Sequence, residues 1–565
     1  MPAQTDSTAL HGALLPPLNG IRRTDLRARA AYSEGAGIYR VLPDGVVIPS
    51  TTPALRTVVG WAADQGVPLI VRGAGSAMTG ANVGKGVILD LSVLDGCPLR
   101  MHVATCRART GAGVTHGSLQ IKAHEHGLRL PPDPSSSRFA TLGGMVATNA
   151  SGSRSVAHGS VRRWVEALDV VTADGELLPL RRGVEPPLTA AVDRFRLTAE
   201  GPLRDAAALI RERYPRCRKN SAGYALDEWL DSGDLIDLFV GAEGTLGIIT
   251  EIEWRLVPLP THRMGLRAAL RDLDSLGQVV ASLLPLEPSA LEYLDATFLR
   301  FAAPELERAG VAISPQAAGG VLLLELEGND REALLTRLNT AQALLSSVSI
   351  TVEAASDERG VDGLWDIRHA ASPILVRLGA GRRSMQVVED GCVPIPALAR
   401  YVAAVRAAST RYEVPAVLFG HAGDGHVHAN LLPDIGKPGW ERRIAAVYDD
   451  VTDAVLALGG TPSGEHGDGR LRTPLLDRVY GVEVTRLFRL VKEAFDPAGI
   501  LNPGVKVPLS KPDSMFDHLK VGGDAAEIPD DIERGLREIE RFARYSTDRL
   551  ELADGFFSLS REDRS

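Results

Sequence analysis

The chain has 565 residues, 44% hydrophobic and 24% charged, with a formal net charge of −9. That length calls for two to four domains, and the composition is that of a globular protein rather than a disordered or fibrous one. The negative balance argues against nucleic acid as a partner, because binding phosphates needs a basic field.

Residues 1–40 read as a helical or irregular lead-in rich in Arg and Ala. The opening MPAQTDSTALHGALLPPLNG lacks the basic start and apolar core of a signal peptide. The longest apolar runs fall well short of the roughly 18 residues that span a bilayer, so no transmembrane segment is expected. A cytoplasmic location is the expectation, with peripheral membrane association left open. Cys97, Cys106, Cys217 and Cys392 are scattered without a CxxC pair. That spacing speaks against a disulfide framework or an iron–sulfur site within the chain.

From Val46 a repeating pattern begins. GVVIPS reads as a buried strand, and TTPALRTVVGWAADQGVP as a capped amphipathic helix with Pro in its first turn. PLIVRG is a second strand, a glycine loop follows, and GVILDLS is a third, so the stretch is a β-α-β unit. A mixed region then runs to about Pro260 and ends in the strand-like GIITEIEWRLVPL. PLPTHR, near residues 258–263, marks a boundary. Beyond it LRAALRDLDSLGQVVASLL, GGVLLLELEG and REALLTRLNTAQALLSS read as alternating Ala/Leu-rich helices and strands of an α+β domain with a mostly antiparallel sheet. Residues 396–495 read as helical apart from two glycine/histidine loops, and 509–565 as a charged, helical, peripheral tail.

Three glycine loops carry chemistry. The first, RGAGSAMTG (72–80), follows an apolar strand, where glycines let successive backbone N–H groups converge on an anion. It matches neither GxGxxG nor a P-loop. The second, PPDPSSSRFATLGGMVATNASGSRSVAHGSV (131–161), mixes Pro-set turns, small residues and hydroxyls, as a buried extended ligand requires. The third is GAEGTLGII (241–249). Later come GHAGDGHVHAN (420–430) and SGEHGDG (463–469), whose imidazoles and carboxylates suit a divalent transition metal.

RGAGSAMTG, PPDPSSSRFATLGGMVATNASG, GAEGTLGIIT and the late FDPAGILNPG, in this order, resemble the FAD-linked oxidases of the vanillyl-alcohol-oxidase superfamily. The resemblance narrows to the branch of D-lactate, glycolate and D-2-hydroxyglutarate dehydrogenases and covers roughly residues 40–508. It implies an α+β protein: a two-subdomain FAD-binding domain (41–260) after the lead-in (1–40), a substrate or cap domain with a mostly antiparallel sheet flanked by helices (261–494), a return to the FAD domain (495–508) and the tail (509–565).

The resemblance further implies a cofactor site from Arg72, Gly73, Ala74, Gly75, Ser76, Ala77, Thr79 and Gly80, with Pro132, Asp133, Thr141, Gly143, Gly144, Ala147, Asn149, Ser151 and Gly152, around the FAD pyrophosphate. Gly247, Ile248 and Asn502 fall near the adenine or flavin ends. The first loop has no histidine, so FAD is expected to be non-covalent. GHAGDGHVHAN and GEHGDG imply His421, His428 and Glu465 as ligands of a divalent metal, zinc or manganese, and His466 as general base. A metal on the substrate hydroxyl lowers its pKa, a neutral imidazole takes the proton, and hydride goes to flavin N5. Arg368, in GLWDIRHAAS, implies carboxylate binding through its bidentate fork, and Asn430 joins the catalytic group.

His426 stands where the family more often has Asn. It is read as tolerated, ahead of a second proton-transfer group or a fourth ligand. Asp424 is read as orienting a ligand histidine or capping the turn. In MQVVEDGCV, Val388 falls where relatives with dicarboxylic substrates have Lys, with Arg382 or Arg383 as substitutes. The departure favours a monocarboxylate such as D-lactate or glycolate. The lead-in and SGEHGDG resemble relatives fused to an iron–sulfur domain, so a separate iron–sulfur subunit docked through the tail is one expected electron acceptor. A quinone, a soluble flavoprotein or cytochrome, and oxygen are the others. A homodimer is common in this group. The competing functions are another flavin oxidase of the superfamily acting on an alcohol, a metallohydrolase, and a non-catalytic FAD subunit of a larger redox complex.

Overall fold

A computed structural model describes residues 16–308, 319–369, 383–511, 514–522 and 524–556. The chain opens with β1 (Gly20–Arg23), β2 (Gly45–Pro49), β3 (Leu69–Arg72) and β4 (Val87–Asp90), which form a sheet of order β1-β2-β4-β3. β2, β4 and β3 run parallel and β1 is antiparallel at the edge. Both faces of a parallel sheet are covered, so every residue of β2 and β4 is buried and their sequences read as unbroken apolar runs. The helix Thr52–Gln65 crosses between β2 and β3. Thr51 caps it by accepting from the Ala54 amide, and Gly66 ends it in the left-handed conformation at φ 65°.

β5 (Leu99–His102), β6 (Arg107–Gly111), β8 (Val165–Val171), β9 (Leu177–Arg181) and β10 (Ile248–Arg255) make an antiparallel sheet of order β5-β6-β10-β8-β9. β7 (Leu128–Arg129) and β11 (Val257–Pro258) pair beside it. A third, seven-stranded sheet is built from β12 (His262–Leu270), β13 (Ala290–Leu294), β14 (Gly320–Gly328), β15 (Ser349–Ala355), β16 (Gly391–Cys392), β17 (Ala416–Gly420) and β18 (His426–Leu431). Its order is β15-β12-β14-β13-β17-β18-β16, antiparallel throughout. Alternation along β14 divides its core. Leu322, Leu324 and Leu326 face helices carrying Leu334, Leu338 and Val402, while Val321 and Leu323 face Phe298, Val361 and Trp365.

Three local expectations change. Leu266–Leu270 closes strand β12, and the helix expected there occupies only Leu276–Leu283. The first histidine segment is a hairpin of two fully buried strands, β17 and β18, rather than a loop between helices. The tail is not peripheral: Ile532, Leu536, Ile539, Leu550 and Leu552 share a core with Ala28, Tyr32, Val46 and Ile48. Its amphipathic helix Asp530–Arg541 had no visible partner in sequence because that partner is the lead-in, some 500 residues earlier. Ion pairs Arg27–Asp531, Arg40–Glu533 and Arg23–Asp554 line the same seam. No helix of the described residues is long and apolar enough to cross a membrane.

Candidate active site

One cavity of about 1060 Å³ lies between the glycine loops and the seven-stranded sheet. Small-molecule sites run to roughly 1,000 Å³, so this space suits a dinucleotide with a small second ligand. Arg72, Gly73, Ala74, Gly75, Ser76, Ala77, Asp133, Thr141, Gly143, Gly144, Ala147, Ser151, Gly152 and Gly247 border it. Among the described residues the amides of Gly73 through Ala77 donate to no backbone carbonyl, so the loop presents a row of N–H groups of the kind that cradles a pyrophosphate. Glycine is needed where the loops meet, since a Cβ on Gly73 would sit 2.1 Å from Thr141 Oγ1. This lining fits FAD.

The other predicted cofactor residues stand behind that wall. Thr79, Gly80, Pro132, Asn149 and Ile248 do not border the cavity. Neither does Asn502, whose Nδ2 donates to the carbonyls of Ala81 and Glu243 and so latches two glycine loops together. Arg72 borders the space, but its guanidinium is held on the carbonyls of Tyr32, Glu34 and Asn82. The tail supplies more wall, through Lys520, Val521, Arg537, Arg541 and Tyr545, none of which sequence reasoning placed there.

At the other end of the cavity, strand register assembles the polar groups. Phe419 pairs with His428 and Val417 with Asn430 across β17 and β18. With side chains alternating, His428 and Asn430 share the sheet face that carries Phe419. Glu292 reaches the same face from β13, buried at 0% exposure. It accepts from His421 Nδ1 at 2.5 Å and from Arg368 Nε at 2.8 Å. The Arg368 guanidinium also lies 4.7 Å from the Phe419 ring centre. His428 Nδ1 donates to the Glu389 carbonyl at 2.9 Å. Both imidazoles thus carry a proton on Nδ1 and turn their Nε2 atoms inward.

Those Nε2 atoms are 3.4 Å apart, and each is 3.4 Å from Glu465 Oε1. Ligand atoms about 2.1 Å from a tetrahedral ion are separated by about 3.4 Å, so the three form one face of such a site. Glu465 is aimed from behind, because its Oε2 accepts from Lys219 Nζ at 2.9 Å and Ser151 Oγ at 2.6 Å. These three inward-facing atoms could hold a cation, and the donor set fits a divalent metal. Burial raises the Glu465 carboxyl, but Lys219, and after it His421, outweigh that and hold it well below its usual range. Burial lowers His421, but Glu292 outweighs it and raises the group to about 9.

His466 stacks on His428 with ring centres 5.2 Å apart. Its Nδ1 lies 3.1 Å from Glu389 Oε1, and its Nε2 lies 3.6 Å from Glu465 Oε1. Burial lowers its pKa, while Asp390 and Glu389 raise it to about 9. Asp390 organises the whole loop, accepting from the amides of Glu465 and His466, from His426 Nε2 at 2.8 Å and from Arg472 Nη1 at 2.7 Å. His426 is therefore not a bystander, since one ring nitrogen is committed to Asp390. Asp424 orients no ligand histidine: its carboxylate accepts from Ser155 at 2.6 Å and faces Lys219 and Arg218, tying the hairpin turn to the cofactor half.

Sequence reasoning missed Glu292, Lys219 and Arg472 and passed over Glu389 and Asp390 as site groups. Glu292 had a signal, a lone charge inside the apolar run SALEYL. Arg383 borders the cavity and Val388 is buried, whereas Arg382 lies outside the described residues.

Comparison with known proteins agrees with this architecture. Residues 43–181 match the family model "FAD binding domain", and 259–505 match "FAD linked oxidases, C-terminal domain". The chain is 29% identical over 482 residues to the glycolate oxidase subunit GlcD of Bacillus subtilis, covering 84% of this chain and 92% of that one. It is 29% identical over 462 residues to a D-lactate dehydrogenase of Archaeoglobus fulgidus, covering 81% and 90%. A D-2-hydroxyglutarate dehydrogenase of Escherichia coli is 27% identical, but the chain covers only 53% of its length. Among solved structures, 4-ethylphenol oxidase from Gulosibacter chungangensis superposes with a TM-score of 0.63 at 16% identity, over 86% of this chain and 94% of that one. The chain belongs to the FAD-linked oxidases, shares its fold with 4-ethylphenol oxidase, and is an FAD-dependent oxidoreductase.

Proposed function

We propose that the protein oxidises a small D-2-hydroxy acid, of the D-lactate or glycolate type, to the 2-oxo acid. The observation that carries this is the meeting, on one cavity, of the glycine loops with an inward triangle of His421, His428 and Glu465, flanked by His466 and Arg368. A flavin oxidase of simple alcohols has no use for that triangle. The names of the similar proteins, glycolate oxidase subunit and D-lactate dehydrogenase, support the same substrate class.

FAD, held non-covalently, would supply the hydride acceptor, and a divalent ion (zinc or manganese by donor type) would supply Lewis acidity at the substrate oxygens. The chain's own residues do the rest. Arg368 receives the substrate carboxylate, its Nε fixed on Glu292 so that the remaining donors point into the cavity. Asn430, beside Gln386 and Ser384, holds a polar substrate oxygen. His466, with Nδ1 anchored on Glu389, takes the hydroxyl proton at Nε2. The carboxylates of Asp390 and Glu389 hold this imidazole towards its protonated form, and a divalent ion held by His421, His428 and Glu465 would offset that field. Phe419, Trp365 and the glycine loops exclude water from the C–H bond being aligned.

Buried, apolar Val388 offers no second carboxylate a partner, which favours a monocarboxylic substrate. The electrons leave to an external acceptor. The word "subunit" in the glycolate oxidase relatives favours a partner chain, and recovery of a cysteine-rich protein with this one from its native host tests that. The substrate class is tested by anaerobic mixing with D- and L-2-hydroxy acids. Bleaching of the flavin by D-lactate or glycolate is expected; bleaching only by simple alcohols or phenols would overturn the reading.

A further inference from the structure

His426 is fully buried, yet it uses only half of its ring. Its Nε2 lies 2.8 Å from Asp390 Oδ1. Asp390 is a carboxylate that also accepts from Arg472 Nη1 and from the amides of Glu465 and His466, so Nε2 carries the proton and donates. That leaves a lone pair on Nδ1, which has no hydrogen-bond partner among the described residues. A polar atom left so in the interior costs about 1–3 kcal/mol. Strand register decides where the ring stands. His426 pairs with Cys392 and His428 with Phe419, and alternation puts His426, His428 and Asn430 on one face of β18. The His426 ring centre is 4.6 Å from that of His428 and 5.4 Å from that of His421. One ligand atom from each of His421, His426, His428 and Glu465 lies within 4.8 Å of the other three. His421, His428 and Glu465 border the cavity and His426 does not, so its ring stands on the protein side of their triangle. Gly464 makes room for it there, because a Cβ at that position would sit 2.9 Å from His426 Cδ2 and 3.0 Å from Nε2.

We propose that His426 Nδ1 is a fourth protein ligand, closing a site of three histidines and one glutamate from behind and selecting zinc over manganese. This rests on the reading of His421, His428 and Glu465 as ligands of one divalent ion. All three imidazoles then follow one plan, with one nitrogen for the ion and the other anchored: His421 on Glu292, His428 on the Glu389 carbonyl and His426 on Asp390. Asp390 also grips the Glu465 amide, so a single carboxylate ties the ligand of the second motif to a ligand of the first. The 4.8 Å limit is wider than the edge of about 3.4 Å expected around a tetrahedral ion, so the His426 ring moves inward by about an ångström when the ion arrives. The cavity-facing triangle stays open as the face through which a substrate oxygen enters, an expansion to five ligands that zinc allows. A third imidazole moves the donor set towards nitrogen, which suits zinc, and away from the oxygen-rich sets that suit manganese. Four protein ligands also keep the ion in place when product leaves.

The test uses the FAD-loaded full chain, stripped of metal by a chelator and reloaded with one equivalent of zinc. X-ray absorption at the zinc edge counts the imidazoles: three are expected in the wild type and two in His426→Asn. Asparagine is the informative replacement, because its amide can still donate to Asp390 while offering no imidazole nitrogen. Competition with a chromophoric chelator at fixed pH should show zinc affinity falling at least as far as the about 10- to 100-fold that loss of an outer-shell partner costs, with manganese affinity falling less. The flavin spectrum establishes that each protein is folded. Two imidazoles in the wild type, or unchanged zinc affinity in His426→Asn beside a clear loss in His421→Ala, would overturn the fourth ligand and leave the three-ligand site standing. A wild type that binds neither zinc nor manganese, or a His421→Ala variant that binds them normally, would overturn the metal reading itself. If His426→Asn fails to fold, the imidazole count in the wild type still decides.

Discussion

Replacing Glu292 by Gln removes one charge from a fully buried side chain without changing its shape. In the structure this carboxylate accepts from His421 Nδ1 at 2.5 Å and Arg368 Nε at 2.8 Å. Hydrogen bonds to a charged group contribute about 1.5–3 kcal/mol each. The glutamine amide has only one acceptor, so its NH2 must face one of two donors. His421 then loses both the anchor that fixes its tautomer and the charge that makes its Nε2 a better ligand. Loss of such a partner lowers metal affinity about 10- to 100-fold, or about 1.4–2.8 kcal/mol. Arg368 is loosened in the same change, so KM for the hydroxy acid should rise alongside. The assay is competition with a chromophoric chelator at fixed pH, with the flavin spectrum as the fold control and His421→Ala as the full-loss reference. An unchanged metal affinity in Glu292→Gln, beside a clear loss in His421→Ala, would refute this account of Glu292.

His466→Ala should retain FAD but lose flavin bleaching by the hydroxy acid; fast bleaching in the variant would remove His466 from the base role. Gly73→Ala places a Cβ 2.1 Å from Thr141 Oγ1, so the purified protein should be largely colourless, and stoichiometric FAD would contradict the cradle. Burial raises Asp227 to about 6 in the folded state. A raised carboxyl pKa favours folding where the proton is bound, so stability should fall as pH rises from about 4 through 6. Asp227→Asn should relieve up to about 3 kcal/mol above pH 6, raising the melting temperature at pH 8 by about 1–3 °C with little effect at pH 4. Deleting residues 514–565 strips Tyr545, Arg541 and Lys520 from the cavity wall. FAD should dissociate faster, read from the fluorescence of released flavin, and Tyr545→Ala should show a smaller effect in the same direction. Unchanged release in both would mean that the tail is only a cover for the lead-in.

The cofactor end of the site was legible because each of its requirements leaves a local mark. A loop of converging amides needs Gly73 and Gly75, and the helix of the second glycine segment needs a cap such as Thr141, so motif and geometry coincide. The proposed catalytic end was legible only in its candidate ligands. His421, His428 and Glu465 stand out by type, but what aims them is scattered. Glu292 comes from another strand, Lys219 from the cofactor half, and Asp390 from the turn just before β16. Their roles depend on strand order, which no local pattern encodes. The hairpin of β17 and β18 could have been read from H-V-H-A-N, whose polar residues alternate with period two. Glycines and histidines drew attention to loop character and hid that period. The tail failed for a different reason, since the polar pattern of Asp530–Arg541 says that one face is buried and not against what.

Leu69 in β3 forms a parallel bridge with Leu501, and Asn502 closes its side chain over Ala81 and Glu243. The first sheet to be synthesised is thus completed by a stretch more than 400 residues later. During synthesis at about 5–20 residues per second, the first sheet, complete by Asp90, waits on the order of 20–80 s for that stretch to emerge. Until then the cofactor chamber lacks a side, and its glycine loops have no latch. Vitamin supply during translation then bears on yield as well as on activity: a nascent chain that meets no flavin closes on empty space. Riboflavin-starved cells should therefore accumulate this protein as protease-sensitive apoenzyme rather than as a stable store awaiting its pigment.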